Sequence, residues 1–222
     1  MRTAAGISDV LQTILLACGI LAPLLYLATD RLAGRLLNGY NFAAQSMSEL
    51  SAAGAPTRSL VVSLNFLATV LMIAFGVGVW RAVSQAFLPR IVAGLLIGNV
   101  VLALAAVLFF PTHFGVRPIF ASVGVIIMVF SVLFLVLAMI FGAAAFGGWL
   151  RILSIAIPAA YAVLAVLRFA IAGASSSGQT VSLIGTQERT MVYSFHLWVI
   201  ALAIYLLLLS RAGADSASRI GG

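Results

Sequence analysis

Lysine is absent from the 222 residues, and there are only five acids. Charged residues make up 8% of the chain and hydrophobic ones 64%, against about 25% and 45–50% in a soluble domain. So little charge excludes a soluble globular fold, a disordered chain and a coiled coil. A single cysteine, Cys18, excludes an intramolecular disulfide and any scaffold built on one. Alternating polar and apolar residues are missing, which excludes a β-barrel. There is no glycine-rich phosphate or dinucleotide loop, no H-x-x-x-H or H-E-x-x-H pair and no second cysteine. Haem, zinc and nucleotide chemistry are therefore not expected, and no metal or other cofactor is implied.

What is present belongs in a bilayer: the mean hydropathy is +1.21. The formal charge of +7 comes from twelve arginines. These stand singly at the ends of apolar runs, with no basic stripe or tail, as expected of residues that anchor helices at headgroup level. No nucleic-acid partner is expected, and membrane lipids are.

A span needs roughly 20 mostly apolar residues. Six runs meet that need: Val10–Thr29, Ser59–Trp80, Ile91–Phe110, Ile119–Phe146, Ile152–Ala172 and Thr190–Ser210. Pro23 and Pro158 interrupt the first and fifth, where kinks are tolerated. Leu15-Leu16-Ala17-Cys18 faintly resembles a lipoprotein cleavage site, but the apolar run continues past Cys18. For the same reason the N-terminal stretch reads as a span rather than a removable signal. The expected fold is all-α, an integral membrane bundle of six transmembrane helices in a single polytopic domain over residues 1–222. A short interfacial helix precedes the second span.

Six spans put both termini on one side. The loops after the first, third and fifth spans lie together on the other, here called the odd face. Arg2, Arg81, Arg90, Arg151, Arg211 and Arg219 fall on the terminal side, and Arg31, Arg35, Arg58, Arg117 and Arg189 on the odd side. This balance favours cytoplasmic termini under the positive-inside rule. Trp80 and Trp149 fit an aromatic belt on the even side.

The unusual polar residues concentrate at the odd face. Ser46-x-x-Glu49 fits a capping box, Gly54 suits a helix end, and Pro56-Thr57 restarts the chain into the second span. Glu49 is either that cap or an acid, base or cation partner in a pocket. Phe110-Pro111-Thr112-His113-Phe114-Gly115-Val116-Arg117-Pro118 joins the third and fourth spans, with Pro118 suited to a first helical position. His113 beside Arg117 is either solvated or set up for acid/base work and anion binding. Glu188 suits the first turn of the last helix by the macrodipole alone. His196 follows Arg189 by seven residues, nearly on the same face and about 10 Å along the axis. Arg168, near the outer end of the fifth span, needs a partner or a path to water. Ionisable groups at such depth mark functional sites or internal pairs. Asn65 and Asn99 read as interhelical hydrogen-bond formers. Gly76, Gly78, Gly94 and Gly98 read as sites of close helix contact.

The order of these motifs carries a resemblance. Ser46-Met47-Ser48-Glu49-Leu50-Ser51 followed by Gly54-Ala55-Pro56-Thr57, then Phe110-Pro111, then Gly185-x-x-Glu188-Arg189, resembles the six-span bacterial and archaeal membrane family catalogued as domain of unknown function 998. The resemblance covers nearly the whole chain. It implies six helices, a single domain and a prokaryotic plasma membrane, and it implies no activity.

Three functions fit the residues. In the first, the bundle binds or transports an amphiphilic or lipid-like molecule. Arg58, Arg117, Arg168 and Arg189 then meet an anionic headgroup, since arginine suits phosphate and carboxylate. In the second, Glu49, Glu188, His113 and His196 perform proton transfer on a lipid or isoprenoid substrate, in a hydrolase or cyclase. In the third, the chain is an accessory subunit and its polar residues only pin helices together. The excess of arginines over acids at the odd face favours the first.

Overall fold

The computed structural model describes the backbone at residues 2–52, 54–83, 86–109, 118–174 and 184–220. It describes side chains at 8–52, 54–83, 86–102, 129–164, 166 and 185–212. Among these residues every regular element is helical. The elements are α1 (Arg2–Leu36), a short 3₁₀ helix (Met47–Ser51), α2 (Arg58–Ala82), α3 (Phe87–Phe109), α4 (Pro118–Ala145), α5 (Gly148–Ala174) and α6 (Ile184–Ile220). His113 and Arg117 lie outside the described residues, and so does the side chain of Arg168.

The four inner helices start and stop within a few residues of the apolar runs, and Pro118 does open α4. The outer two overrun theirs. α1 continues past Thr29 through Asp30, Arg31 and Arg35, and α6 begins six residues before Thr190. An apolar run marks where lipid ends. The backbone ladder continues for as long as each N–H finds a carbonyl four residues back. Pro23 and Pro158 both sit inside continuous helices.

Sequence neighbours pack side by side from α1 to α6, and α6 returns to lie against α1. The centre of this arrangement is apolar. Leu16, Phe75, Val79, Val92, Met139, Leu150, Trp198 and Leu202 are all essentially inaccessible and form one cluster. Trp198 on α6 donates its indole N–H to the Ser154 hydroxyl on α5 at 2.8 Å, so its one polar atom is satisfied. Gly78 permits a close approach of α1 and α2, because a Cβ there would stand 2.9 Å from Leu15 Cβ and 3.0 Å from the Leu15 carbonyl carbon. Gln12, on the same face of α1, donates to the Gly78 carbonyl at 2.8 Å. The expected close contact at Gly94 is not made, since nothing lies within 4 Å of where its Cβ would be. The Oδ1 atoms of Asn65 and Asn99 are both buried and have no hydrogen-bond partner among the described residues.

Large apolar side chains cover the outside of the helices, among them Leu24, Phe66, Val70, Ile140, Ile155 and Leu208. A water-soluble surface does not tolerate contiguous apolar area of this kind; a hydrocarbon solvent favours it. Three helices are long and apolar enough to cross a membrane, over Ser8–Leu36, Arg58–Ala82 and Gly185–Ala212. The described apolar stretches of the other three are shorter: Phe87–Leu102, Val129–Ala145 and Gly148–Leu164. The chain is thus a helical integral membrane protein. Trp80 near the end of α2 and Trp149 near the start of α5 are both exposed, and the Arg90 guanidinium stands 5.7 Å from the Trp80 ring.

Candidate functional site

One arginine ties the end of α6 to the end of α1 and to the loop that follows α1. Arg189, in the first turns of α6, sends Nε to Asp30 Oδ2 at 3.0 Å and Nη2 to Asp30 Oδ1 at 2.9 Å. This fork-on-fork pair is the strongest geometry open to the two groups. Nη2 also donates to the Tyr40 hydroxyl at 2.7 Å. Nη1 donates to the carbonyls of Phe42 at 2.7 Å, Gln45 at 3.0 Å and Gly185 at 3.2 Å. All five guanidinium N–H groups are thereby used within the protein. The side chains of Arg189 and Asp30 are 7% and 1% exposed. A pair so deep holds only because the remaining donors and lone pairs are also met. Tyr193, one turn further along α6, completes the set by donating to Asp30 Oδ2.

The loop between α1 and the 3₁₀ helix is shaped to reach this arginine. Gly39 takes a positive φ of 77°, open to glycine without steric cost. Asn41 Oδ1 then accepts from the backbone N–H groups of Ala43 and Ala44. That turn aims the Phe42 and Gln45 carbonyls inward. Burial pushes the Tyr40 phenol up from its ordinary value, against the opposing pull of Arg189. It therefore stays protonated, donates to the Ser46 carbonyl at 2.7 Å and accepts from Arg189.

The 3₁₀ helix lies over the gap between α1, α2 and α6 and is tied down at both ends. At its start, Glu188 Oε2 on α6 accepts the Met47 N–H at 2.8 Å. At its end, the Thr57 hydroxyl donates to the Leu50 carbonyl at 2.7 Å and Arg58 Nη1 to the Ser51 carbonyl at 2.8 Å. Beneath it is a cavity of about 210 Å³. Its polar wall comes from Thr29 and Asp30 on α1, Ser48 and Ser51 on the 3₁₀ helix, Asn65 on α2 and Glu188 on α6.

The residues expected to form a site are thus sorted into different tasks. Glu188 lines the cavity. Glu49 does not; it is exposed and serves the cap. Its Oε1 accepts the Ser46 N–H at 2.9 Å, and its Oε2 accepts from Gln45 Nε2 at 2.8 Å. Arg189 is taken by Asp30 rather than by Glu49, and it has no N–H left for a headgroup. Arg58 staples the 3₁₀ helix. His196 is 8% exposed. It stacks on Tyr26 of α1, with centroids 4.6 Å apart and an interplanar angle of 20°, and its Nδ1 lies 2.7 Å from the Val192 carbonyl. That contact assigns the ring proton to Nδ1 in the neutral form. The seven-residue interval between Arg189 and His196 does place both on the face that meets α1. Gly54 has a positive φ of 85°, two residues beyond the C-cap Ala52. The residue that sequence reasoning overlooked is Asp30. Its one visible signal is that it is an acid at the end of an apolar run, where an unpaired carboxylate is costly.

The cap makes one prediction. The bond from the Ser46 N–H is the main reason that the Glu49 carboxyl sits below its ordinary range. Gln45 and the Ser46 hydroxyl add to this, and burial opposes it. Its contribution is thus present above the ordinary carboxylate range and lost as pH falls through the lowered value. In so exposed a position, Glu49→Gln should cost at most about 1 kcal/mol. Thermal melts of variant and wild type should differ at neutral pH and converge in acid. A gap that widens in acid would contradict this account.

Comparison with known proteins adds one relationship. No curated protein and no solved structure matches the chain. The family described as protein of unknown function (DUF998) matches residues 20–205. That stretch runs from the middle of α1, through Asp30, the 3₁₀ helix, Asn65 and Glu188–Arg189, almost to the end of the apolar part of α6. The chain therefore belongs to the DUF998 family.

Proposed function

We propose that this chain crosses the bilayer six times and binds the polar head of a small amphiphile in the cavity beneath the 3₁₀ helix. The tail then lies along the apolar helices. The observation that carries this reading is the cavity itself. At about 210 Å³ it falls short of the roughly 300–1,000 Å³ typical of pockets that enclose a whole small molecule. It is also several times larger than a single water requires. A head fits and a tail does not. Buried polar atoms on its wall supply the few directed contacts that such sites use for orientation. Helix length supports six crossings. α3, α4 and α5 have 23, 28 and 27 residues, and a helix needs about 20 to span.

The test is native mass spectrometry with lipid analysis on gently solubilised wild type and on Val61→Phe. Val61 is buried against the cavity, and the larger ring fills it. The expected result is one class of amphiphile retained by wild type and lost from a variant that elutes and melts normally. If wild type retains nothing specific, or Val61→Phe retains as much, the cavity is not a binding site.

A further inference from the structure

We infer that the head received by this cavity is a primary ammonium, recognised by Glu188 with Asn65 as a second acceptor. The inference rests on the binding reading above and names the ligand's chemistry. It reverses the sign of charge that the arginine count suggests.

The argument follows the hydrogens on the cavity wall. The Thr29 hydroxyl donates to the Leu25 carbonyl at 2.8 Å. The Ser51 hydroxyl donates to the Ser48 carbonyl at 3.0 Å. The Tyr26 hydroxyl points at the Met47 sulfur, 3.9 Å away. Ser48 Oγ shares one hydrogen bond with Ser46 Oγ at 2.8 Å. Ser46 Oγ gives its own hydrogen to Glu49 Oε1 at 3.2 Å, which leaves Ser48 as the donor of that shared bond. The hydroxyl hydrogens thus have protein acceptors, and what each group offers the cavity is its lone pairs. Asn65 adds a buried Oδ1 that accepts from none of the described residues. Glu188 adds a carboxylate of which only Oε2 has a protein donor, the Met47 N–H. Apart from the Asn65 amide N–H groups, the wall offers acceptors, and a wall in which acceptors predominate calls for a ligand of donors.

The charges agree. Asp30 and Glu188 line the cavity, and none of the described residues around it is an arginine. Asp30 is neutralised by Arg189, the one ion pair among the described residues. Glu188 has no such partner. The nearest other cations are engaged elsewhere. Arg58 holds the Ser51 carbonyl, and Arg31 lies against the Phe42 and Tyr193 rings, 5.3 and 5.5 Å from their centroids. An anionic head would meet a carboxylate with no counter-charge, whereas an ammonium supplies one. A metal cation is disfavoured by the donor set, since among the described residues no three of His, Cys, Asp and Glu come together. The cavity is also far larger than a bare ion requires. Three N–H donors on a compact head match Glu188, Asn65 Oδ1 and a hydroxyl lone pair.

The experiment compares dodecylammonium, dodecyltrimethylammonium and dodecyl phosphate, each at equal mole fraction in dodecylmaltoside micelles. Occupancy is read by native mass spectrometry. Wild type should take up dodecylammonium with one bound molecule and bind the other two at least about tenfold more weakly. Glu188→Gln keeps an acceptor for the Met47 N–H, and it should weaken dodecylammonium about tenfold while leaving dodecyl phosphate unchanged. Asn65→Leu provides a second, uncharged perturbation of the same site and should weaken dodecylammonium without changing the order of heads. Phosphate or trimethylammonium binding as tightly as the primary ammonium overturns the inference, as does a well-folded Glu188→Gln that binds like wild type. If Val61→Phe removes binding of whichever head is preferred, the cavity reading survives that outcome. If Val61→Phe removes none of them, the cavity reading fails as well.

Discussion

Arg189→Gln should destabilise the protein by about 3–5 kcal/mol, the usual cost of leaving one member of a buried ion pair without its partner. The physical reason is the asymmetry of the contact. Glutamine cannot meet both Asp30 oxygens, Tyr40 and two loop carbonyls at once. Asp30, 3% exposed, is then left as a carboxylate with only Tyr193 to serve it. Asp30→Asn should cost a similar amount, because it strands the guanidinium. The double variant Asp30→Asn/Arg189→Gln should cost clearly less than the sum, since it removes both charges from the same site. Thermal unfolding of the detergent-solubilised protein, read by size exclusion, measures all three. Single variants that melt within about 1 kcal/mol of wild type would show that the pair is solvated and does not hold the odd end together.

Gly185→Ala should be the next most damaging change, at about 3 kcal/mol, the upper end of overpacking costs. A Cβ at Gly185 would run into the carbonyl oxygens of Phe42 and Gln45 and would stand 2.8 Å from Arg189 Nη1. Two of these three are backbone atoms, so no rotamer change relieves them. The loop must retreat, and in doing so it leaves Arg189. At Gly39 the same substitution is a control, since nothing lies within 4 Å and only the positive φ opposes it. That should cost about 1–2 kcal/mol. Gly185→Ala combined with Arg189→Gln should be markedly non-additive, because both open the same contact. If Gly185→Ala melts no lower than Gly39→Ala, the approach of the loop to α6 is looser than described.

The helical architecture was legible because its cause is one-dimensional. A segment with no polar side chains has to satisfy its own backbone in lipid, so hydropathy along the chain reports α2 to α5 nearly residue by residue. The ends of α1 and α6 were not legible, because helical hydrogen bonding passes through Asp30-Arg31 and Glu188-Arg189 without regard to polarity. The candidate site divides in the same way. Glu188 and Arg189 stood out as charges at the edge of a span, and Ser46-x-x-Glu49 as a cap. The partner of Arg189 could not be read from its own neighbourhood, since Asp30 lies 159 residues away. Asp30 sits beside Arg31 at the end of an apolar run, and nothing in its own neighbourhood sets it apart. The acceptor character of the cavity was hidden for a further reason. Serine and threonine are donors and acceptors alike until their neighbours fix where each hydrogen goes. The arginine count pointed to an anionic ligand because it could not show that Arg189 spends its donors on Asp30, Tyr40 and backbone carbonyls, or that Arg58 gives one to the Ser51 carbonyl.

The same 159-residue separation has a consequence for biosynthesis. α1 leaves the ribosome well before α6. At about 5–20 residues per second, the interval between synthesis of Asp30 and of Arg189 is on the order of ten to thirty seconds. Throughout that time Asp30 must reside at the membrane edge without its cation, hydrated or protonated. The arrival of Arg189 then closes the ring of helices and covers the carboxylate in a single event. Until α6 is made, α1 therefore carries an acid that nothing yet covers.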